Sequence, residues 1–191
     1  MGKWAAAGAL ILVASLPVLA QGPKRPVPKV PVVELSGGYA FARFDTSGRT
    51  ANGNGVLGSF GWNVKPWLQI VLDTSYNKSS ANGTRNVLYG NHYGPRFFYR
   101  THNRFGLTPF AEFLVGGSHV TTTASGAGGL QASDTGFSIK TGGGLDFNLS
   151  PHFALRLIDA DYYRTPFFGT HQNTIWLTTG FVLRLGGARP E

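Results

Sequence analysis

The stretch that decides the fold is Ile175-Trp176-Leu177-Thr178-Thr179-Gly180-Phe181-Val182-Leu183-Arg184-Leu185. Successive side chains of a β-strand face opposite sides. Ile175, Leu177, Thr179, Phe181, Leu183 and Leu185 therefore share one face, and Trp176, Thr178, Gly180, Val182 and Arg184 the other. The first face is apolar almost throughout; the second mixes glycine, threonine and a charge. About ten residues of this two-fold alternation suffice for a tilted strand to cross a bilayer.

Working back along the chain, Phe137, Ile139, Thr141, Gly143, Leu145, Phe147 and Leu149 alternate in the same way with Ser138, Lys140, Gly142, Gly144, Asp146 and Asn148. So do Val56 to Val64, Leu68 to Tyr76 and Pro109 to Gly117. With Val33 to Phe44, Val87 to Tyr99 and Phe153 to Tyr163, eight strands are predicted, an even number that returns both chain ends to one side. A bilayer core offers no water to backbone N–H and C=O groups, so a chain without a long apolar helix spans it only as a closed barrel. The expected fold is all-β, an eight-stranded antiparallel up-and-down transmembrane β-barrel. Aromatics near the expected membrane boundaries, Trp62, Trp67, Tyr76 and Phe153, suit an interfacial girdle.

The N-terminal segment carries an export signal. Met1-Gly2-Lys3 gives a positive start, Trp4 to Leu19 an apolar stretch broken by Pro17, and Val18-Leu19-Ala20 a small-residue cleavage site. Residues 1–20 are thus expected to be a signal peptide. Residues 21–32 form a Pro-rich periplasmic tether, since GPKRPVPKVPV holds four prolines and three basic residues and favours an extended backbone. Residues 33–185 form the barrel and 186–191 a C-terminal tail. The sequence has no Cys, which excludes a lipid-modified cysteine, disulfides and thiolate metal sites.

Connection lengths orient the barrel. The turns at Asn63–Trp67 and Asn148–His152 are tight, and His102 to Gly106 is only slightly longer. Asp45 to Asn54, Asn77 to Asn86, Thr121 to Thr135 and Tyr163 to Asn173 read as long loops, and long loops of such barrels face outwards. Two segments resist the pattern. Val87 to Gly94, VLYGNHYG, keeps no single apolar face. Asp159 and Asp161 fall on the parity of Leu155 and Leu157, so either a β-bulge near Ile158 resets the register or the strand has left the apolar band; the bulge is the preferred reading.

On the inward parity lie four acids, Glu34, Asp73, Glu112 and Asp146, and four bases, Arg96, Lys140, Arg156 and Arg184. The interior of an eight-stranded barrel is just wide enough for side chains to fill it, and unpaired buried charge is costly. The eight groups are expected to pair in a plugged lumen of zero net charge. The formal charge of +8, less Lys3, then leaves +7 outside the lumen. Arg43, Arg49, Lys78, Arg85 and Arg164 are expected to meet lipopolysaccharide phosphates or other surface ligands, or merely to keep the surface solvated. Nucleic acid is not an expected partner, since no recognition motif accompanies the charge.

Tyr93-Gly94-Pro95-Arg96-Phe97-Phe98-Tyr99-Arg100, Leu107 to Gly117 and Leu155-Arg156-Leu157-Ile158-Asp159-Ala160-Asp161-Tyr162 resemble the small outer-membrane β-barrel proteins related to the OmpA transmembrane domain and the OmpX/OmpW-like families. The resemblance covers about Val33 to Leu185. It implies the fold, a place in the bacterial outer membrane and insertion by the barrel assembly machinery, but no activity. One departure is the C-terminus, where Leu185 is followed by GGARPE in place of a terminal aromatic.

Catalytic signals are weak. Gly53-Asn54-Gly55-Val56-Leu57-Gly58 matches G-x-G-x-x-G outside any strand-to-helix unit and suits a loop running into a strand. His92, His102, His119, His152 and His171 have no ligand spacing. Ser118 and His119 are adjacent and so point to opposite faces, wrong for a nucleophile and its base. The expectation is a monomeric, non-enzymatic barrel without cofactor or metal, with a structural, adhesive or surface-interaction role. The alternatives are a lipid A-modifying enzyme and a soluble lipocalin-like carrier with its apolar face inward.

Overall fold

The computed structural model of the chain describes residues 30–46, 49–81, 83–100, 106–124 and 129–186; the expected signal peptide, most of the expected tether and the last five residues lie outside them. Eight strands follow in order: β1 (Val33–Thr46), β2 (Arg49–Lys65), β3 (Leu68–Ala81), β4 (Thr84–Phe98), β5 (Leu107–Ala124), β6 (Gln131–Asn148), β7 (Phe153–Phe167) and β8 (Thr170–Leu185). Each pairs antiparallel with the next, and β8 returns to pair with β1 from Val33↔Leu185 to Asp45↔Asn173. The sheet is closed and has no edge, which is what lets a β-structure sit in hydrocarbon. Among the described residues there is no helix.

Side-chain parity runs as the alternation dictates. Along β8, Ile175, Leu177, Phe181, Leu183 and Leu185 are exposed on the outer wall, while Trp176, Thr178, Val182 and Arg184 are buried inside. The apolar face points out, which overturns the inverted, lipocalin-like arrangement. Outward threonines in this wall tuck their hydroxyls onto the backbone: Thr141 Oγ1 donates to the Glu112 carbonyl at 3.3 Å and Thr179 Oγ1 to the Arg156 carbonyl at 3.1 Å.

The four segments expected as long loops are mostly strand. β1 and β2 stay paired up to Thr46↔Arg49, β3 and β4 up to Ala81↔Thr84, β5 and β6 up to Thr123↔Gln131, and β7 and β8 up to Phe167↔Thr170. The last hairpin turns on Phe168 (φ 50°) and Gly169 (φ 72°), two adjacent positive-φ residues as a tight two-residue turn requires. The Ser, Thr and Asn residues of these segments still alternate, and they extend the ladder with side-chain bonds such as Thr122 Oγ1 to Asn86 Oδ1 at 2.7 Å and Ser79 Oγ to the Asn52 carbonyl at 2.8 Å. Their polarity marks contact with water, not irregular backbone. The barrel therefore has a terminal end, with both chain ends and the connections 66–67, 99–106 and 149–152, and a tip end of protruding hairpins.

Both ambiguous segments are resolved. β4 pairs with β3 in unbroken register from Leu68↔Phe97 to Ala81↔Thr84; its outward set is Val87, Tyr89, Asn91 and Tyr93, so Asn91 alone interrupts the apolar face. On β7 the register shifts between Arg156 and Asp159. Leu157 and Ile158 both face outwards there, and Asp159 and Asp161 are buried inside. A β-bulge thus resets the strand, and no carboxylate of β7 faces lipid. The glycine-rich 53–58 stretch is regular β2, not a phosphate loop.

Inward glycines allow strands to approach closely. A Cβ on Gly180 would lie 2.2 Å from the Gly37 carbonyl oxygen, whereas one on Gly58 would meet nothing nearer than 3.8 Å. Gly180→Ala is therefore expected to cut the folded yield sharply and Gly58→Ala to leave it unchanged, scored by heat-modifiable gel migration. Phe181→Arg, on the outer wall, is expected to cost about 2–4 kcal/mol of unfolding free energy in lipid if it lies near the midplane, measured by urea titration.

Candidate functional site

Two surfaces carry chemistry: the lumen and the tip half of the outer wall. The lumen is layered. At the terminal mouth Glu34 accepts from Arg100 Nη2 at 2.9 Å and lies 3.4 Å from Arg184 Nε; Gln69 Nε2 donates to Glu34 at 3.1 Å and to Asn63 Oδ1 at 3.2 Å. Above it Arg96 Nη2 pairs with Glu112 at 2.6 Å, and Arg156 bridges Asp146 at 2.9 Å and Asp159 at 3.2 Å. The two guanidiniums lie 4.9 and 4.4 Å from the ring centre of Phe110, a pair of cation–π contacts to one ring.

Lys140 is the hub of the next layer. Its Nζ lies 3.0 Å from Asp161, 3.2 Å from Asp73 and 3.4 Å from Glu112. Glu112, Asp159 and Asp161 bring carboxylate oxygens within 4.8 Å of one another, and the ammonium of Lys140 is a built-in cation for that cluster. Towards the tip the charges give way to hydroxyls: His92 Nε2 and Ser118 Oγ each lie 2.7 Å from Ser138 Oγ, and Tyr163 hydroxyl is hydrogen-bonded to Ser118. Last comes an apolar layer of Trp176, Tyr163, Phe167, Leu57, Leu88 and Val120 over Ala40 and Ala42, with Trp176 stacked on Tyr163 at 5.6 Å.

All eight residues assigned to the lumen network lie inside the barrel and within its ion pairs. The equal count does not hold, because Asp159, Asp161 and Arg100 join them. Six carboxyl groups then face five cationic groups among the described residues, so the count of acids and bases is unequal. The bulge expected near Ile158 turns both acids inward, a consequence that the count of four acids did not include. Arg100 was within reach of parity, since it continues the inward series Arg96, Phe98 beyond the end of β4.

Of the five basic residues assigned to the surface, Arg43, Lys78, Arg85 and Arg164 are exposed on the outer wall towards the tip end. Arg49 lies at the start of β2, its side chain outside the described residues. Each of the four sits beyond a tyrosine on its own strand: Tyr39 precedes Arg43, Tyr76 precedes Lys78, Tyr89 lies below Arg85, and Tyr162 precedes Arg164. Tyr39 and Tyr162 hydroxyls donate to Asn54 and Asn173. This belt is the position aromatic side chains take at a membrane boundary, with the bases just beyond it. Trp62, Trp67 and Phe97 stand on the wall near the terminal end, the last two stacked at 6.2 Å. Ser118 is buried in the lumen while His119 stands exposed beside Thr135 Oγ1 at 2.8 Å, so the adjacent pair does not share a face.

A closed eight-stranded sheet with an apolar outer band, an aromatic belt and a charged interior defines a transmembrane barrel of the bacterial outer membrane. The chain belongs to the family described as outer membrane protein beta-barrel domain, which it matches over residues 6–186. Comparison with curated proteins finds no match. Among solved structures it is similar to Neisserial surface protein A (TM-score 0.66, 17% identity, covering 80% of this chain and 97% of that one). It is also similar to Ail, the attachment invasion locus protein of Yersinia pestis (TM-score 0.58, 21% identity, 81% and 99%). A further Ail structure, in complex with the heparin analogue sucrose octasulfate, aligns with TM-score 0.56 at 22% identity over 79% of this chain and 97% of that one. At these identities the likeness is one of fold.

Because Lys140 serves three buried carboxylates, Lys140→Met is expected to destabilise the barrel by about 3–5 kcal/mol, the cost of stranding buried charge. Arg100→Met, at the partly open mouth where Arg184 also serves Glu34, is expected to cost distinctly less; urea-induced unfolding in detergent micelles compares the two.

Proposed function

We propose that the protein is a monomeric, non-conducting and non-catalytic surface-interaction barrel whose tip end faces outwards and holds anionic groups of the outer leaflet or of an external ligand. The observation that carries this reading is the set Arg43, Lys78, Arg85 and Arg164, exposed on the outer wall just beyond the tyrosine belt. Guanidinium and ammonium groups at that height meet the phosphates of lipopolysaccharide, and each such contact is charge-assisted. Insertion by the barrel assembly machinery places the terminal end in the periplasm.

Two features support the rest. The lumen holds ion-paired layers under an apolar layer, which suits a plug better than a water-filled pore. The likeness to a neisserial surface protein, and to an attachment protein captured with a polysulfated sugar, agrees with surface contact with anions. Catalysis by Ser118 and His119 is disfavoured by their opposite orientation.

The test is binding of purified lipopolysaccharide to the refolded barrel. Replacing Arg43, Lys78, Arg85 and Arg164 together by alanine is expected to weaken it about tenfold or more, and salt is expected to weaken the parent in the same direction. Unchanged binding would refute the reading, as would large steady conductance of the parent in planar bilayers.

A further inference from the structure

Glycines of this barrel fall into two physical groups. At inward positions such as Gly38, Gly55, Gly116 and Gly180 a Cβ would lie 1.9–2.3 Å from a neighbouring backbone oxygen, so the fold itself requires glycine. At Gly37 the nearest atom to such a Cβ is Cζ of Phe181 at 3.5 Å, at Gly58 a carbonyl oxygen at 3.8 Å, and at Gly117 nothing within 4 Å. All three face the outer wall; the Phe181 ring packs over Gly37, whereas at Gly58 and Gly117 packing of the fold does not account for glycine.

They lie in one row. Gly37 pairs with Gly58, Gly58 with Thr74, Thr74 with Asn91, and Asn91 with Gly117. The row crosses β1 to β5, about 19 Å at the usual strand spacing. The ring of Phe181 on β8 lies over its partner Gly37, so the open floor runs from Gly58 to Gly117, with Phe137 on β6 beyond it. The row on its tip side is Tyr39, Val56, Tyr76, Tyr89 and His119; the row on its terminal side is Leu35, Phe60, Leu72, Tyr93 and Val115. Large side chains, apolar or aromatic except for His119, thus form two walls over a low floor, a groove in the lipid-facing surface.

The floor has one polar station. Thr74 Oγ1 donates to Asn91 Oδ1 at 2.9 Å, and no described residue accepts from the Asn91 amide N–H2. The outward hydroxyls of Thr141 and Thr179 are spent on backbone carbonyls. An amide facing hydrocarbon calls for an acceptor, which here must come from whatever fills the groove. Over the same strands stand Arg43 on β1, Lys78 on β3 and Arg85 on β4. Lys78 lies four residues beyond Thr74, about 13 Å along the strand, and Arg43 and Arg85 are three strand spacings apart, about 14 Å across the sheet.

We propose that this groove and the three bases above it form one binding site for a single outer-leaflet lipid, a bisphosphorylated acylated glycolipid. Its phosphates pair with Arg43, Lys78 and Arg85. One acyl chain lies along Gly58, Thr74 and Gly117 between the two walls, and an ester or hydroxyl oxygen of that chain accepts from Asn91. The charge complementarity and the separation of the bases select a lipid with two anionic groups over one with a single phosphate. The proposal rests on the reading of the basic wall as an anion contact and adds the chain site beneath it.

Detergent-refolded barrel is titrated with bisphosphorylated lipid A and, separately, with its deacylated bisphosphate sugar headgroup. Gly58→Leu and Gly117→Leu, each raising the floor where space is open, are expected to lower lipid A affinity about tenfold through lost van der Waals packing while leaving headgroup binding unchanged. Asn91→Leu is expected to weaken lipid A by a smaller factor. Arg43→Ala with Lys78→Ala and Arg85→Ala lowers both, and failure of that arm alone refutes the basic-wall reading. Heat-modifiable migration confirms folding of each variant, and the two leucine variants stand independently. Unchanged lipid A affinity in the leucine variants overturns the groove. So does equal affinity for a single-phosphate glycerophospholipid, or loss of self-association in place of lipid binding, which would make the groove an interface between copies of the chain.

Discussion

Everything in this molecule depends on the ring of backbone hydrogen bonds being closed. Thirteen residue pairs join β1 to β8, and without them two strand edges would present unpaired N–H and C=O groups to hydrocarbon, each costing several kcal/mol. Once the ring is closed, the pleat leaves no freedom in the placement of side chains: every second residue enters a narrow lumen and every other one faces lipid. The outer face must be apolar over the membrane band, and whatever polarity the chain carries there has to be satisfied locally, as Thr141 and Thr179 do through backbone carbonyls.

The same constraint explains the lumen. Charged side chains in so narrow a space cannot hydrate freely, so they must meet one another. Lys140 reaching three carboxylates and Arg156 reaching two are the outcome. Such pairs contribute little net stability beyond what apolar residues of equal volume would give, yet removing one partner is expensive. Sharing Lys140 among Asp73 on β3, Glu112 on β5 and Asp161 on β7 therefore ties three non-adjacent strands across the lumen and penalises any change of register that would misplace one of them.

Strand number, closure, parity and the apolar outer face were legible in the sequence because all follow from a period of two, and Ile175 to Leu185 alone displays it. Two features were not. The tip hairpins look like loops because Ser, Thr, Asn and Gly serve equally in turns and in a solvated ladder, and composition does not tell whether backbone groups pair with each other or with water. The full charge count turned on a local event that was itself legible as a bulge near Ile158 but was not carried into the count: one extra residue at Leu157–Ile158 inverts the parity of everything beyond it on β7, moving Asp159 and Asp161 into the lumen. Arg100 escaped notice for a simpler reason, as it lies past the end of β4 while its long side chain still reaches Glu34. Of the surface site, the bases were visible by composition, but their alignment with the tyrosines of the same strands emerges only from register.

Glycine illustrates how far a single residue type can mislead when read by frequency. With 27 in 191 residues, the chain appears uniformly glycine-rich, and the natural inference is a barrel needing small residues for curvature and close strand approach. That holds for Gly55 and Gly180, where no Cβ fits. It fails for Gly58 and Gly117, where a Cβ would meet nothing nearer than a carbonyl oxygen at 3.8 Å and nothing within 4 Å respectively. On a surface whose neighbours are Tyr, Phe and Leu, an omitted side chain leaves a hollow that lipid must fill, and a low row from Gly58 to Gly117, floored between them only by Thr74 and Asn91, imposes an orientation on the chain that fills it. On the proposed reading the basic residues beyond the tyrosine belt hold a lipid by its headgroup, and the hollow beneath them fixes where its tail must go.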